Sequence, residues 1–268
     1  MRDYCIDFDG GQVVYRTDLP EVQASIIEMF WAMLVPEATR KLGQIELIQG
    51  IDGPMLNGVV LADFGDTPGL LERMRHDILM AFILARRDLV WLHAAVVKGD
   101  DGAILIAGPS GAGKSSIATI LCERGWRFLS DDAAPVSCPE VRVLPYPQTP
   151  RRRAIASQEL FAGHEHLLER ELRPISADLV WREPSRISQV IFLEFSFTAS
   201  AELHPLTPGE TTLDLIRNCT NFVDHKESAV AALSDVARAA PGYRLRYGHR
   251  AAAADAIEEL LLKPGLVP

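Results

Sequence analysis

The sequence predicts an α/β fold in which a mixed β-sheet is flanked by helices, together with a small N-terminal α+β subdomain. Three observations support this fold class. An apolar run at 103–107 leads through a glycine-rich turn into a helical pattern, a second apolar run at 90–97 precedes it, and the earlier part of the chain mixes strand and helix patterns. We place the subdomain at residues 1–88 and the larger domain at 89–268.

The N-terminal subdomain is predicted from alternation and helical spacing of its apolar residues. Residues 4–16 alternate around Gly10 and Gly11, which indicates a hairpin, and residues 21–34 carry a helical apolar pattern. Three further elements follow: strands over 44–49 and 58–63 and a helix over about 68–87. None of them carries a recognisable functional motif.

Composition restricts the class of partner. The chain has 268 residues, 48% hydrophobic and 24% charged, with a formal net charge of -9. Nucleic-acid binding needs clustered Lys and Arg, so this charge argues against a nucleic-acid partner. We interpret the three arginines at 151–153 as a solvated loop, with an anion-contacting loop as the alternative. The four cysteines lie far apart and predict reduced thiols: Cys5, Cys122, Cys138 and Cys219.

The sequence carries no clear targeting or metal-binding signal. The sequence has no secretory signal at its start and no apolar run near the roughly 18 residues of a membrane span. We therefore expect a cytoplasmic protein with no membrane partner. His164 and His166 are alternate residues, which point apart on a helix, so we do not interpret them as a metal pair.

A hairpin is predicted to deliver the chain to the glycine-rich turn. Residues 90–97 predict one strand, 98–102 a tight turn, and 103–107 a second strand. His93 then lies near the start of a strand beside the one that precedes the turn.

The turn itself, Gly-Pro-Ser-Gly-Ala-Gly-Lys-Ser at 108–115, has every fixed position of a phosphate-binding loop. Its glycines allow backbone N–H groups to converge on a polyphosphate, Lys114 is placed to reach the β- and γ-phosphates, and the Ser115 hydroxyl to ligate Mg²⁺. The predicted nucleotide-binding set is Gly108, Ser110, Gly111, Ala112, Gly113, Lys114, Ser115 and Ser116. The alternative is a plain turn between strand and helix.

Two carboxylates follow the next predicted strand. Gly125 ends the loop helix, residues 126–129 form a short strand, and Asp131 and Asp132 come directly after Ser130. Ligands bind at the carboxyl edge of open α/β sheets, where the loop also lies. One carboxylate there can hold Mg²⁺ while the other accepts a proton from an attacking hydroxyl; a solvated turn is the alternative.

These residues resemble a known family. His93, the loop at 108–115, and the stretch from Arg124 to Asp132 resemble the catalytic domain of the HPr serine kinase/phosphorylase superfamily. The similarity is greatest to the shorter HPr kinase-like proteins that phosphorylate lasso-peptide precursors. It covers about 91–147, and the pattern at 241–248 is also similar to those members.

The resemblance implies a P-loop domain of HPr kinase type and transfer of the γ-phosphate of Mg²⁺-bound ATP, or GTP, to a hydroxyl. The implied acceptor is a serine of a peptide or small protein. Lys114 and Ser115 correspond to the phosphate and Mg²⁺ ligands, His93 to the active-site wall, and the two aspartates to metal binding and proton acceptance. We assign Asp131 as the base and Asp132 to the metal, although the sequence does not order them. A homo-oligomer is left open.

Further residues are weaker candidates. The glycine-rich signature associated with phosphorolysis is missing downstream of Asp132, which favours kinase activity. Glu194 ends an apolar run and is either an additional metal ligand or a solvent-facing acid. Two arginines of a predicted flap at 169–189 are candidates for stabilising the transferring phosphoryl group: Arg182 and Arg186. Three polar residues near a helix end either line an acceptor site or have a capping or surface role: Asn218, Asn221 and His225.

Two alternative functions share the same loop. One is a kinase acting on a small metabolite, which differs only in its acceptor. The other is a nucleotide-binding regulatory protein that binds Mg²⁺·ATP without transferring phosphate.

Overall fold

The structure, a computed structural model, describes residues 1–61, 67–137, 140–153 and 170–262. The chain divides into two compact units, Met1–Arg87 with Gln148–Pro174, and Asp88–Pro147 with Ile175–Pro268. The predicted division at residue 88 did not anticipate the second segment of the N-terminal unit. Cys138 and the sequence around His164 and His166 lie outside the described residues.

The described part of the chain is a mixed α/β structure of sheets with flanking helices. Short 3-10 turns occur at Trp31–Met33 and Ala177–Leu179. In chain order the strands and helices are β1 (Arg2–Phe8), β2 (Gly11–Thr17), α1 (Pro20–Phe30), β3 (Leu34–Val35), β4 (Lys41–Gly50), β5 (Gly53–Leu56), β6 (Val59–Val60), α2 (Thr67–Ala85), β7 (Leu89–Leu92), β8 (Ala94–Gly99), β9 (Gly102–Ala107), α3 (Lys114–Glu123), β10 (Arg127–Ser130), β11 (Ala134–Ser137), β12 (Arg142–Val143), β13 (Arg151–Arg153), β14 (Arg170–Leu172), β15 (Ser185–Phe195), β16 (Glu202–Leu206), α4 (Pro208–Arg217), α5 (Phe222–His225), α6 (Glu227–Ala239), β17 (Gly242–Tyr247) and α7 (Arg250–Leu262).

The N-terminal unit is built on a six-stranded sheet of order β3-β1-β2-β4-β5-β6. Its predicted first hairpin is confirmed: β1 and β2 are antiparallel, and the turn uses positive φ at Asp9 (51°) and Gly10 (73°). The core side chains come alternately from the strands and from one face of each helix. They include Ile6, Phe8, Tyr15, Leu47, Val22, Ile26, Phe30, Met74, Ile78 and Phe82.

The returning segment at 148–174 belongs to this unit through specific bonds. The Thr149 N–H donates to the Met29 carbonyl at 2.8 Å, and its hydroxyl donates to the Glu28 carbonyl at 2.6 Å. Arg151 forms an ion pair with Glu72. Strands β13 and β14 pair in antiparallel fashion, which brings the two ends of the segment together.

The second unit contains a nine-stranded sheet in the described residues, with the main order β10-β8-β9-β15-β12-β11-β7 and with β17 joining β15 to β16. The two faces of β9 bury alternate residues, as the period of a strand requires. Leu105 packs in a core with α4 and α6, whereas Ile104 and Ile106 pack with α3 and α7. The loop-bearing strand is therefore covered on both faces.

Strand direction brings several chain ends to one edge of this sheet. β9, β15 and β17 are mutually parallel, and β10 has the same direction because it is antiparallel to β8, which is antiparallel to β9. The residues that follow β9, β10, β15 and β17, and those that precede β8, thus share one edge.

The predicted strand over 90–97 is interrupted at His93. β7 pairs with β11, whereas β8 pairs with β9 and β10, so the two halves occupy different places in the sheet. Both halves are apolar, and consecutive residues are buried on both faces of each strand. The sequence therefore carries no alternation of apolar and polar residues that marks the break. The hairpin of β8 and β9 itself is as predicted.

Within the described ranges, no helix combines the length and the hydropathy that a membrane span requires.

Candidate active site

The glycine-rich turn joins β9 to α3, which begins at Lys114. Gly108, Gly111 and Gly113 all have positive φ, at 148°, 82° and 94°. A Cβ added at Gly113 would lie 2.5 Å from the Tyr247 hydroxyl, and one at Gly108 would lie 3.1 Å from the Leu193 carbonyl. The turn therefore needs glycine at these positions for backbone conformation and for space.

The other predicted loop residues surround this backbone. Ser110 is exposed, Ala112 is buried, and Ser115 and Ser116 are half-buried in the first turn of α3. The N–H groups at the start of a helix have no partner within the helix, and they lie at the positive end of its dipole. The turn and the first residues of α3 thus have the chemistry of an anion site.

Lys114 is buried, with 4% of its surface exposed, and its ammonium is held by three acceptors. It donates to the carbonyls of Gly108 at 2.9 Å and Pro109 at 3.2 Å, and to Nε2 of His93 at 3.0 Å. A buried ammonium requires such partners, because its desolvation is costly. The Lys114 ammonium thus places a positive charge against the backbone of the loop.

His93 is fixed from three sides. Its backbone N–H donates to the Asn218 carbonyl at 2.7 Å, and its Nδ1 lies 3.0 Å from the Asp132 carbonyl. Because the Lys114 ammonium is only a donor, Nε2 of His93 accepts and Nδ1 carries the hydrogen that is donated to Asp132. The imidazole therefore links the loop lysine to the aspartate pair.

The two aspartates follow β10 and face different partners. The Ser115 hydroxyl donates to Oδ1 of Asp131 at 2.8 Å, and Asp131 is 4% exposed. Asp132 has φ of 65°, and its carboxylate lies 3.8 Å from Nδ1 of His93. A non-glycine residue with positive φ beside a ligand loop is a common feature of functional sites. The carboxylate at the Ser115 hydroxyl thus belongs to Asp131, whereas the sequence analysis assigned Asp132 to the metal.

A buried serine holds this end of β10 in place. Ser130 is fully buried, and its hydroxyl accepts from the Tyr146 N–H at 2.9 Å. The sequence analysis did not assign a role to Ser130. Its contact fixes the backbone that leads directly to Asp131 and Asp132.

The donor set fits Mg²⁺ bound together with a polyphosphate. No cluster of three or more His, Cys, Asp or Glu side chains able to cage an ion occurs in the described residues. Nucleotide-bound Mg²⁺ needs no such cage, because phosphate and water oxygens supply most of its ligands. Ser115 and Asp131 provide one hydroxyl and one carboxylate at a single point, which matches this requirement.

Glu194, the other predicted metal ligand, is placed differently. Its carboxylate lies 3.8 Å from Nε of Arg246 on the neighbouring strand β17, and it is 55% exposed. Val190, Phe192 and Glu194 alternate along β15 and share the face of the α4 and α6 core, opposite α3. The solvent-facing interpretation of Glu194 is the one that these contacts favour.

The predicted flap at 169–189 is wrong for its C-terminal part. Residues from Ser185 onward form β15, and Arg186 pairs with Arg142 of β12. The Arg186 carbonyl lies beside Gly102, at the beginning of β9, whereas the loop follows its end. Arg186 is therefore at the opposite edge of the sheet from the loop. Arg182 lies between Trp181 and β15, and Glu169 lies outside the described residues.

The polar residues near the end of α4 have structural contacts. The Asn221 amide accepts from the Trp91 N–H and donates to the Leu89 carbonyl, both at 2.9 Å, so it satisfies the edge of β7. The backbone of Asn218 holds His93, as described above. His225 ends the short helix α5, and its carbonyl accepts from Ser228.

Two residues that the sequence analysis did not single out lie against the loop. The Tyr247 hydroxyl donates to the Ala112 carbonyl, and burial raises the pKa of Tyr247 to about 12. Nε of Arg250 would lie 3.5 Å from a Cβ at Gly113. Neither contact could be found from a local sequence pattern. Tyr247 ends β17 and Arg250 follows that strand, and β17 is brought into the sheet by pairing with β15, which is distant in the sequence.

Comparison with known proteins gives little further information. No protein-family model matches the chain, and no curated protein matches it. Among solved structures the chain is similar to the Hpr(Ser) kinase/phosphatase from Coxiella burnetii, at 11% sequence identity and a TM-score of 0.37, over 64% of this chain and 96% of that one. A likeness at that TM-score establishes neither the fold nor the function of this chain.

Proposed function

We propose that the protein is a kinase that transfers the γ-phosphoryl group of Mg²⁺·ATP to a hydroxyl. The observation that carries this proposal is the contact between Ser115 at the loop and Asp131 after β10, with Asp132 next in the chain. A loop that only senses a nucleotide needs no side chains beyond those that contact the phosphates and the metal ion. A second carboxylate beside the first serves a reaction in which a proton must be accepted.

The loop supplies the nucleotide contacts. Its N–H groups bind phosphate oxygens, and Lys114 exchanges its carbonyl and imidazole partners for the β- and γ-phosphates. Ser115 and Asp131 would hold Mg²⁺, which when bound would offset the negative charge that develops on the transferring phosphoryl group. ATP is the proposed nucleotide, with GTP as the alternative.

Asp132 is the proposed base. Its carboxylate lies beside His93, and its side chain is 27% exposed, so an acceptor hydroxyl can approach it. His93 fixes the backbone of Asp132 from one side and the Lys114 ammonium from the other. Catalysis of phosphoryl transfer depends largely on such positioning and on charge stabilisation.

The proposed acceptor is a serine hydroxyl of a peptide or small protein in the cytoplasm, which rests on the resemblance described for the sequence. A metabolite kinase would use the same residues with a different acceptor. The nucleotide-binding regulatory protein is less well supported, because Asp132 then has no chemical task.

The test is transfer of label from γ-labelled ATP and Mg²⁺ into size-fractionated host extract. Wild type is compared with Asp131→Asn, Asp132→Asn and, as a control, Asp224→Asn, whose carboxylate is exposed on α5. We expect Asp132→Asn to lose transfer by about 100-fold or more while retaining ATP binding, since base catalysis contributes about 10²–10⁴. Asp131→Asn should in addition require much more Mg²⁺, and Asp224→Asn should match wild type.

Each result has a definite meaning. Label in a peptide or protein fraction supports the proposed acceptor, whereas label in the small-molecule fraction supports a metabolite kinase. ATP binding with no labelled acceptor supports the regulatory protein. If both active-site variants transfer phosphate at the wild-type rate, the assignment of the two aspartates is wrong.

A further inference from the structure

An aromatic cluster with two exposed members lies at the same sheet edge as the loop. Phe195 ends β15 and Phe197 follows it, and these side chains are 36% and 71% exposed. Their ring centroids are 4.9 Å apart with planes at 74°, and Phe195 makes a similar contact with Tyr247, at 5.5 Å and 67°. We call Phe195, Phe197 and Tyr247 the aromatic shelf.

The shelf is joined to the loop through Tyr247. One end of this residue packs against Phe195, and its hydroxyl donates to the Ala112 carbonyl in the loop. The ordinary tyrosine pKa of 10.0 already keeps the hydroxyl protonated at neutral pH, and burial raises the pKa further, so the hydroxyl remains a donor. Phe195 also shares a face of β15 with Leu193, which packs in the α3 and α7 core.

The turn that carries Phe197 is anchored as well. The Ser196 N–H donates to the Tyr247 carbonyl at 2.9 Å, and the Ala199 N–H donates to the Ser196 carbonyl at 2.9 Å. A Cβ at Gly248 would lie 2.9 Å from the carbonyls of Ser196 and Phe197. Close approach of these two backbones therefore holds Phe197 in position despite its exposure.

The order of the strands gives the two halves of the site. From the loop after β9, Asp131 lies on the side of β10, whereas the shelf lies on the other side, where β15 and β17 end. The γ-phosphate and the base are at opposite ends of a nucleoside triphosphate. With Mg²⁺ and the γ-phosphate at Ser115 and Asp131, the base extends toward the shelf.

We propose that the shelf is the base subsite, on which the purine of the nucleotide stacks on the more exposed ring, Phe197, and packs beside Phe195, whose plane lies at 74° to it. This inference rests on the proposed nucleotide binding and adds to it the residues that hold the base. Every base has a π-face, so stacking of this kind is tolerant of base identity. ATP and GTP are therefore expected to bind with similar affinity.

The test is calorimetric titration of the full chain with ATP and with tripolyphosphate, both with Mg²⁺. Tripolyphosphate occupies the loop but has no base. We compare wild type with Phe197→Ala, with Lys114→Ala, and with Leu213→Ala, which removes another exposed apolar side chain (58%) of the same unit. Circular dichroism checks that each variant is folded.

Phe197→Ala is expected to weaken ATP binding about tenfold and to change tripolyphosphate binding less than about twofold, because stacking acts only on the base. Phe197→Trp should retain ATP affinity, and Leu213→Ala should leave both ligands unaffected. Lys114→Ala should weaken both. Gly248→Ala, which displaces the Phe197 turn, should act in the same direction as Phe197→Ala.

The outcomes separate the two proposals. If wild type binds both ligands and Phe197→Ala binds ATP as tightly as wild type, the base subsite is wrong and the kinase proposal stands. Equal loss of ATP and tripolyphosphate affinity in Phe197→Ala also overturns the subsite. If folded wild type binds neither ligand, the proposed function fails and the subsite fails with it.

Discussion

Tyr247 connects the glycine-rich loop to the sheet through a single hydroxyl. It lies at the end of β17, donates to the Ala112 carbonyl, and blocks the space that a side chain at Gly113 would need. A neutral donor of this kind fixes the loop backbone without adding charge to an anion site. The hydroxyl therefore supports the loop backbone at Ala112.

Tyr247→Phe is expected to lower the free energy of unfolding by about 1 kcal/mol, because a buried carbonyl loses its donor. The difference from wild type should also depend on pH. The folded pKa of about 12 lies above the ordinary value of 10.0, so this stabilising contribution is complete below about pH 10 and is lost as the pH rises toward 12. Urea denaturation of both proteins at neutral and alkaline pH measures the difference. If the stability advantage of wild type over Tyr247→Phe increases above pH 10, the assignment is contradicted.

At the scale of elements, a glycine lies at each end of α3, and the two glycines are required for different reasons. Gly113 precedes its first residue and has Tyr247 against it, whereas Gly125 follows its end with φ of 98° and open space around it. Both positions require an unusual backbone conformation, but only Gly113 also requires an absent side chain.

The matched pair Gly113→Ala and Gly125→Ala separates these two effects. Gly125→Ala should cost about 1 kcal/mol, the penalty for a left-handed backbone alone. Gly113→Ala should cost at least about 2 kcal/mol and abolish ATP binding, since the new Cβ displaces Tyr247 or the loop. Thermal unfolding and calorimetry measure both quantities. Equal losses of stability with intact ATP binding would show that the loop tolerates the side chain.

The local elements of the candidate site were predictable from the sequence, because the signals that specify them lie close together along the chain. The hairpin of β8 and β9, the loop, and the aspartates after β10 are all specified within about 40 residues by turn residues, apolar runs and motif spacing. The interruption at His93 was not predictable, because the buried run has no alternation there. The contact of Asp131 with Ser115 was not predictable either, since it depends on which of the two neighbouring side chains the fold brings to the Ser115 hydroxyl.

At the scale of the whole molecule, the chain enters the N-terminal unit twice. Gln148 and Thr149 are each only 3% exposed, and the segment that they begin is held by Glu28, Met29 and Glu72. Pairing of this segment with residues more than 70 positions earlier leaves no local pattern in the sequence. The same holds for Tyr247 and Phe195, which come together only because β17 pairs with β15.

Removal of residues 1–87 alone should therefore give a poorly folded protein, because the returning segment loses its partners. Removal of both segments, with Pro147 joined to Ile175 by about six Gly and Ser residues, should restore a cooperative unfolding transition and ATP binding. The pairing of Arg151 with Leu172 brings the ends of the excised segment close enough for such a linker. Calorimetry and thermal unfolding of the two deletions provide the test. A well-folded first deletion would contradict the division into units.

In the proposed kinase, the contact between Lys114 and His93 has a kinetic consequence. Until a polyphosphate draws the ammonium away, the lone pair of Nε2 is engaged, and an acceptor that arrives first meets an imidazole already in use. An acceptor that arrives after the nucleotide meets a freed imidazole beside Asp132. We therefore expect a compulsory order with the nucleotide leading, in which an inert acceptor analogue inhibits uncompetitively with respect to ATP.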